Sequence, residues 1–449
     1  MNKTTFYIES LGCKVNQYES DGIAAQLEAH GFSRAGKGHS ADICIVNTCA
    51  VTSRAGMQSR QETRNLIREH PEARVIVTGC HAQTDPEQFK KISGVDLIVC
   101  HQDKPLIPAY LTRESPEKNL FEFRKPEYGK SACFVGFGES DRPVSGKMTR
   151  AYLKIQDGCN QFCTYCIIPY ARGASVSMPF DQVMAHVSSL NRQGFNEVIL
   201  TGIHTGLYGL DLKPETSLTQ LVRKLDEERP VNQIRISSIE PNEITDDLIQ
   251  LARPGHILCD HFHIPLQAGD NDVLSRMKRP YSVEQFSDVI HSIHETLPHA
   301  GIGLDVIMGF PGETEKAFEN TYKLVASLPV SYLHVFPYSP RQGTPAWHFT
   351  PKVPSGTAKK RAALMRELGE QKRSAFIESN QGRALKGLIQ NQRDRRTGML
   401  KAVTTNYLTV LIEDKRDAHG NPDSLKGKIV NIKYDPCRNG NCLVGSIVP

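Results

Sequence analysis

The 449-residue chain has no run of apolar residues approaching the roughly 18 that a membrane span needs, so no membrane partner is expected. Its first residues, MNKTTFYIES, lead straight into a strand-like segment. They carry neither the apolar centre nor the small-residue cleavage site of a secretion signal. A cytoplasmic setting is therefore expected, where thiols stay reduced, and there the 12 cysteines point to metal binding or catalysis rather than to disulfides. Net charge is small as well: 54 Lys and Arg against 49 Asp and Glu leave +5, which permits an RNA partner without requiring one. Hydrophobic content of 39% and charged content of 23% are those of a soluble globular protein, and the length predicts two or three domains.

A fourth ligand is missing from the most conspicuous motif. Ile155 to Gly173 reads IQDGCNQFCTYCIIPYARG and holds Cys159, Cys163 and Cys166 in the spacing C-x3-C-x2-C. No further Cys or His follows in the loop, so the four-ligand shell of a structural zinc site is left incomplete. Three thiolates suit a 4Fe–4S cluster with one iron open to a small molecule. On spacing alone, an incomplete zinc knuckle or three unrelated thiols stay open as alternatives. The spacing also resembles the signature of the radical S-adenosylmethionine (SAM) superfamily, whose open iron receives the amino and carboxylate groups of SAM.

Residues 1–114 alternate strand and helix. TTFYIES, ADICIVNTC, ARVIVTGC and VDLIVC read as strands, and YESDGIAAQLEAHGF and RQETRNLIREHP as helices between them. This order predicts a parallel sheet flanked by helices. Cys13, Cys49 and Cys80 each follow or end a strand, 36 and 31 residues apart, about one strand-helix unit each. In a parallel sheet all carboxyl ends point the same way, so three thiols are delivered to one edge, where such sheets bind ligands. Their neighbours (LGCKVNQ, VNTCAVT, VTGCHAQ) are turn residues, whereas Cys44, inside DICIV, reads as a packed core thiol. Cys100 ends the fourth strand beside His101. If that strand is an edge, Cys100 lies too far away to ligate with the other three.

Residues 115–147 mix Pro, Gly, Ser and charge without a period and read as a linker, with Cys133 in apolar company and no assigned role. Residues 148–378 hold six strand-helix units. Their strands are AYLKIQ, EVILTGI, QIRISSIE, HFHIPLQ, GIGLDVIMGF and YLHVFPYS, a pattern that predicts a partial (β/α)6 barrel with its site at the strand carboxyl ends. The cluster loop, TGIHTG, SSIEP, PLQAGD, GFPGE and PYSPRQGTP all fall there; taken singly, each is ordinary turn chemistry. His261 and His263 share one strand face and read as polar lining of the barrel. SGTAKKRAALMRELGEQKRSAFIESNQG is a long amphipathic helix stopped near Gly382. Residues 379–449 then give five short strands, the pattern of a small closed β-barrel. From Gln381 onward 12 Lys and Arg face 6 Asp and Glu, and Arg393, Arg395 and Arg396 share one turn, which favours phosphate contacts. Cys437 and Cys442 read as turn residues.

Taken together, LGCKVNQYES, IVNTCAVT, VTGCHAQ and DGCNQFCTYCIIPYARG closely resemble the methylthiotransferase family of radical-SAM enzymes, over essentially the whole chain. The resemblance implies an α/β chain of three parts: an N-terminal methylthiotransferase domain with an auxiliary cluster, a radical-SAM core, and a C-terminal RNA-binding TRAM barrel. It implies two 4Fe–4S clusters and SAM as cofactors. Cys13, Cys49 and Cys80 match the auxiliary-cluster ligands, and Cys159, Cys163 and Cys166 the SAM-cluster ligands. Gly202 in TGIHTG, Ser238 and Glu240 in SSIEP, and Gly309 in GFPGE match parts of the SAM pocket, where a glycine lets backbone approach the adenosine. The motifs look most like the branch that modifies threonylcarbamoyl-adenosine next to the tRNA anticodon, at carbon 2 of the adenine. Other branches act on isopentenyl-adenosine or on a ribosomal-protein aspartate. The implied partners are tRNA and a reductant protein. A non-catalytic Fe–S RNA-binding protein is the rival of another class, and the glycine-rich strand ends speak against it.

Overall fold

The computed structural model describes residues 3–112, 134–137, 148–412, 422–436 and 443–448. Cys133, Cys437, Cys442 and most of the expected linker lie outside them. Near the N-terminus, β1 (Thr5–Ser10), β2 (Ser33–Arg34), β3 (Ile43–Thr48), β4 (Arg74–Gly79) and β5 (Leu97–Ile98) form one sheet in the order β2-β1-β3-β4-β5. Every pairing in it is parallel. Central β3 is buried at each of its six positions, as a strand covered on both faces must be. The two-residue β2 is too short to leave a pattern in the sequence. On the opposite side β5 is an edge, the arrangement that sets Cys100 apart.

Three helices start where predicted ligands lie. Helix α1 (Lys14–Ala29) begins directly after Cys13, four residues before the apolar pattern starts at Tyr18. Thr52 caps α2 (Ser53–Glu69), its hydroxyl accepting from the Ala55 amide at 3.0 Å, just after Cys49. The short α3 (Cys80–Thr84) opens on the third cysteine itself.

The middle of the chain supplies β6 (Ala151–Lys154), β7 (Gln156–Asp157), β8 (Val176–Ser177), β9 (Glu197–Thr201), β10 (Gln233–Ile236), β11 (His261–Gln267), β12 (Gly301–Met308) and β13 (Tyr332–Pro337). Two parallel runs, β10-β9-β6 and β11-β12-β13, meet through the bridge Ile234–Leu258 and the 3.1 Å bond from the Ile239 amide to the His263 carbonyl. The result is the six-stranded partial barrel that the strand count predicted. Apolar side chains such as Val198, Leu200, Ile264, Leu304 and Val306 point outward into the largest core. Strands β7 and β8 pair antiparallel and clip together the two ends of the loop carrying Cys159, Cys163 and Cys166.

The helix Ser355–Ser379 buries Ala358, Ala362, Met365 and Leu368 at three- and four-residue intervals, one apolar stripe. After it, β14 (Leu385–Ile389), β15 (Leu400–Thr404), β16 (Thr409–Ile412), β17 (Ile429–Pro436) and β18 (Leu443–Val448) close a small barrel in the order β14-β15-β16-β18-β17. This barrel docks on the amino ends of the six central strands. Asn196 Nδ2 donates to the Gly427 carbonyl at 2.7 Å, Arg235 Nη1 to that of Thr405 at 2.8 Å, and Asn406 Nδ2 to that of His299 at 3.0 Å.

The N-terminal sheet is fastened to the carboxyl ends of those strands by charge. Glu19 of α1 is completely buried and pairs with Lys104, with Lys154 of β6 at 3.1 Å and with Arg172 at 2.8 Å. Lys154 and Arg172 also hold Asp157, at 2.7 and 2.8 Å. His101 lies 3.1 Å from Asp157, yet burial pushes it down to about 4, so it is neutral at neutral pH. Burial alone would raise Glu19 and Asp157. The surrounding cations, Arg172 foremost, instead hold both well below the usual carboxylate range.

Removing one partner from such a cluster leaves a buried charge uncompensated. Lys154→Met is expected to cost about 3 kcal/mol, read as a lower urea midpoint. Because the carboxylate values are depressed on folding, their contribution is present above the unfolded value of about 4 and is lost as pH falls through the folded values. Wild type should therefore lose stability steeply below about pH 4, and Lys154→Met along a shallower slope.

Candidate metal centres

Both cysteine triads lie where parallel strands end, and the two ends face each other. In the N-terminal sheet, Cys13 follows β1, Cys49 follows β3 and Cys80 follows β4. Gly12 shows why the first turn is tight: it has φ of +95°, and a Cβ there would stand 2.5 Å from the Cys49 sulfur. Burial pushes the Cys49 thiol up to about 11, with the charges of Cys80 and Cys13 adding to the rise. The three sulfurs thus share one electrostatic site. The second triad sits on the clipped loop. Gly158, with φ of +67°, passes so near the Ala174 carbonyl that a Cβ would lie 1.8 Å from its oxygen. Burial and the neighbouring Cys163 push Cys166 up to about 12.

Buried thiols that raise one another's pKa resist ionisation unless a cation stands among them. Metal binding needs the thiolate, so an iron cluster fits both donor sets: it supplies the positive charge that makes three adjacent thiolates tolerable. Each set offers three sulfurs, which leaves a fourth position free.

Three basic side chains reach these sulfurs. Arg172 Nε donates to Cys80 at 3.2 Å, Arg279 Nη1 donates to Cys163 at 3.2 Å, and His204 Nδ1 lies 3.3 Å from Cys159. Burial would lower His204, but its bonds to Cys159 and Glu243, the latter at 2.6 Å, raise it to about 10. Arg172 stands inside the YARG motif, so the sequence showed the residue but not its target. His204 stands inside TGIHTG, which likewise showed the residue but not its target, and Arg279 carries no motif; only folding brings both to the cluster loop.

Of the four residues expected around SAM, Gly202 ends β9 beside Gln156, whose Oε1 would lie 2.9 Å from a Cβ there. That same oxygen accepts from the Ile203 and His204 amides at 3.0 and 2.8 Å. Ser238 Oγ lies 2.8 Å from His263 Nδ1. The Glu240 carboxylate is ion-paired with Arg279. Gly309 departs from the expectation that its missing side chain admits adenosine. A Cβ there would lie 2.4 Å from the Ala358 Cβ, and its amide is taken by Glu313 at 3.0 Å, so the space belongs to the long helix. The buried contact between the two triads consists of Ala50, Cys80, Ile167 and Ala171. Ser53, at the start of α2, ties the two parts at their rim: its amide donates to Ser339 Oγ at 2.9 Å and its hydroxyl to the Pro340 carbonyl at 3.2 Å.

Comparison with known proteins agrees with this architecture. Residues 153–325 match the radical SAM superfamily, and residues 5–100 match an uncharacterized protein family, UPF0004. The threonylcarbamoyladenosine tRNA methylthiotransferase MtaB of Bacillus subtilis is 38% identical over 435 residues, covering 96% of this chain and 93% of the relative. The protein of the same name from Aquifex aeolicus is 34% identical over 430 residues, covering 94% and 98%. A tRNA-2-methylthio-N(6)-dimethylallyladenosine synthase of Clostridium tetani is 31% identical over 438 residues, covering 96% and 94%. Among solved structures, the radical S-adenosylmethionine methyltransferase TsrM from Kitasatospora setae, with cobalamin and a [4Fe-4S] cluster bound, shares the fold. Its TM-score is 0.58 at 16% identity, over 77% of each chain. With such identities to curated methylthiotransferases across nearly its entire length, the chain belongs to the methylthiotransferase family of radical-SAM enzymes.

Proposed function

We propose that this chain is a tRNA-modifying enzyme that methylthiolates adenine carbon 2 of N6-threonylcarbamoyladenosine next to the anticodon. The observation that carries the reading is the meeting of two three-cysteine sites across one buried interface, Ala50 and Cys80 on one side and Ile167 and Ala171 on the other. One site alone would serve many radical reactions; two, each with a free position, suit a reaction that must both activate a carbon and deliver sulfur to it. The relatives named for threonylcarbamoyladenosine support the choice of substrate, and the Clostridium tetani relative supplies the alternative, isopentenyl-type substrate.

We assign Cys159, Cys163 and Cys166 to the cluster that binds SAM, and Cys13, Cys49 and Cys80 to the auxiliary cluster. When bound, the first cluster with SAM supplies a carbon radical able to take hydrogen from an unreactive aromatic carbon, and the second supplies the sulfur. The chain's own residues do the rest. The Ser53 bonds to Ser339 and Pro340 tie the N-terminal sheet to the end of the last central strand. Arg172, Arg279 and His204 direct N–H groups at ligand sulfurs, which stabilises the more negative, reduced state of each centre. Gly202 and Ser238, at the ends of β9 and β10, border the space we assign to SAM, and Glu240 holds Arg279 in place there. A reductant protein supplies the electron. No helix among the described residues is long and apolar enough to cross a membrane.

Cys159→Ala is expected to abolish release of 5′-deoxyadenosine from SAM by the reduced protein; retained release would place the radical cluster elsewhere. Cys49→Ala should still cleave SAM but give no thiolated nucleoside, and normal thiolation would remove the auxiliary assignment. In cells lacking the protein, tRNA hydrolysates should have lost 2-methylthio-threonylcarbamoyladenosine; an unchanged level rejects the substrate. Arg279→Met removes one charge-assisted bond worth about 1.5 kcal/mol, so the midpoint of the SAM cluster should fall by about 60 mV in a spectroscopic redox titration.

A further inference from the structure

The turn that follows β13, residues 338–346, belongs to neither cysteine triad, yet it is fastened to both. At one end Ser339 Oγ accepts from the Ser53 amide at 2.9 Å, and the Pro340 carbonyl accepts from the Ser53 hydroxyl at 3.2 Å. Ser53 stands four residues beyond Cys49. At the other end the Ala346 amide donates at 2.8 Å to the carbonyl of Thr164, which lies between Cys163 and Cys166. Midway, Gly343, with φ of +88°, turns the chain onto Ile167, whose Cδ1 would lie 3.6 Å from a Cβ there. Ile167 is part of the buried contact between the triads. Thr344 tightens the turn, its amide and hydroxyl donating to the Arg341 carbonyl at 3.2 and 2.7 Å. These bonds fix Arg341 on the seam between the two centres.

The guanidinium carried there differs from the two already described. Arg172 finds acceptors in Glu19, Asp157 and Cys80, and Arg279 in Glu240 and Cys163. Arg341 has both Nε and Nη2 shut off from solvent, and neither makes a hydrogen bond among the described residues. Burial pushes its pKa down, and the charge that opposes this is that of Cys49, not of a carboxylate. A buried cation with idle donors is costly unless an anion meets it. The two donors reach no cysteine sulfur, so a further acceptor has room to stand between the guanidinium and the triad. Sulfur is nucleophilic only as the thiolate, and a neighbouring arginine is one of the groups that keep it ionised.

We propose that Arg341 is the anion-binding residue of the auxiliary site: its Nε and Nη2 hold the sulfur anion that the site delivers, a hydrosulfide or methanethiolate, beside Cys13, Cys49 and Cys80. Because the same turn is tied to the loop of Cys163 and Cys166, that anion is held in register with the centre that activates the acceptor carbon. The proposal rests on the assignment of Cys13, Cys49 and Cys80 to the auxiliary cluster. It adds the residue that keeps the transferred sulfur charged and in place.

The test titrates reduced, cluster-loaded full-length protein with sodium methanethiolate carrying a 13C methyl group. Binding is read from the 13C hyperfine coupling in pulsed electron paramagnetic resonance, with iron and sulfide counted for every variant. Wild type should show the coupling, and Cys49→Ala should lose it. Arg341→Met should weaken binding at least about tenfold, the factor expected of one charge-assisted contact. Arg341→Lys should recover part of the loss, since it restores the charge but not the fork of donors. Methyl isocyanide, a neutral ligand of cluster iron, should bind wild type and Arg341→Met alike. Absence of the coupling in wild type, an unchanged affinity in Arg341→Met, or a coupling that survives Cys49→Ala overturns the proposal. So does an Arg341→Met chain that weakens equally toward methanethiolate and methyl isocyanide, because that is the mark of a purely structural residue. If methanethiolate binds as expected while cells lacking the protein keep their thiolated nucleoside, the function reading fails and the anion site stands.

Discussion

One guanidinium holds the two halves of the site together. Arg172 reaches Glu19 and Asn16 in the N-terminal helix, Asp157 at the root of the cluster loop and the sulfur of Cys80. Planar, with five donors and always charged, it fits this convergence as a lysine could not. The surrounding cluster contains three basic groups, Lys104, Lys154 and Arg172, against the carboxylates of Glu19 and Asp157, with His101 neutral. The excess positive charge is directed at a thiolate. A buried ion cluster is a poor source of net stability, because desolvation consumes most of its attraction. It does, however, make any other docking of the two halves expensive. Its contribution here is geometric: it sets the distance between two metal centres that have to act on one nucleoside.

That constraint explains why much of the site was legible in the sequence. A parallel sheet puts all its carboxyl ends on one side, so cysteines recurring after successive strands had to converge, and Cys13, Cys49 and Cys80 do. The six central strands announced themselves by short apolar runs between amphipathic helices, and the five C-terminal strands by their turns. Each of these is a local signal. The misses have a different physical origin. Helix α1 begins at Lys14 and not at Tyr18 because its first turn is mostly polar: Asn16 is buried there by its bonds to the Leu11 and Thr48 carbonyls, a signal that an apolar period does not carry. Gly309 resembles a ligand-facing glycine, yet it leaves space for Ala358, nearly 50 residues away in sequence. His204 and Arg279 meet the cluster loop only through the barrel's closure, which no periodicity encodes.

The basic turn of the C-terminal barrel was only half legible for the same reason. Arg395 and Arg396 are exposed, as the charge run suggested, but Arg393 is spent on Asp423 at 2.9 Å and on the Gly398 carbonyl at 2.9 Å. It shapes the turn that displays the other two. A count of charges cannot separate a cation that faces solvent from one that is already paired.

That barrel covers one end of the six central strands. The Thr404 and Thr405 carbonyls accept from Arg235 at 3.1 and 2.8 Å, and the same guanidinium lies over the ring of Tyr407, 5.1 Å from its centroid. Tyr407 in turn stacks on His261, so the amino ends of the central strands are closed by rings and backbone. The carboxyl ends carry both cysteine triads. The open approach to the sulfurs is therefore from the triad side. The C-terminal barrel and the cysteine triads lie at opposite ends of the six central strands, which are four to eight residues long. A base that reaches the sulfurs has to be unpaired or easily unstacked, as bases in an anticodon loop are.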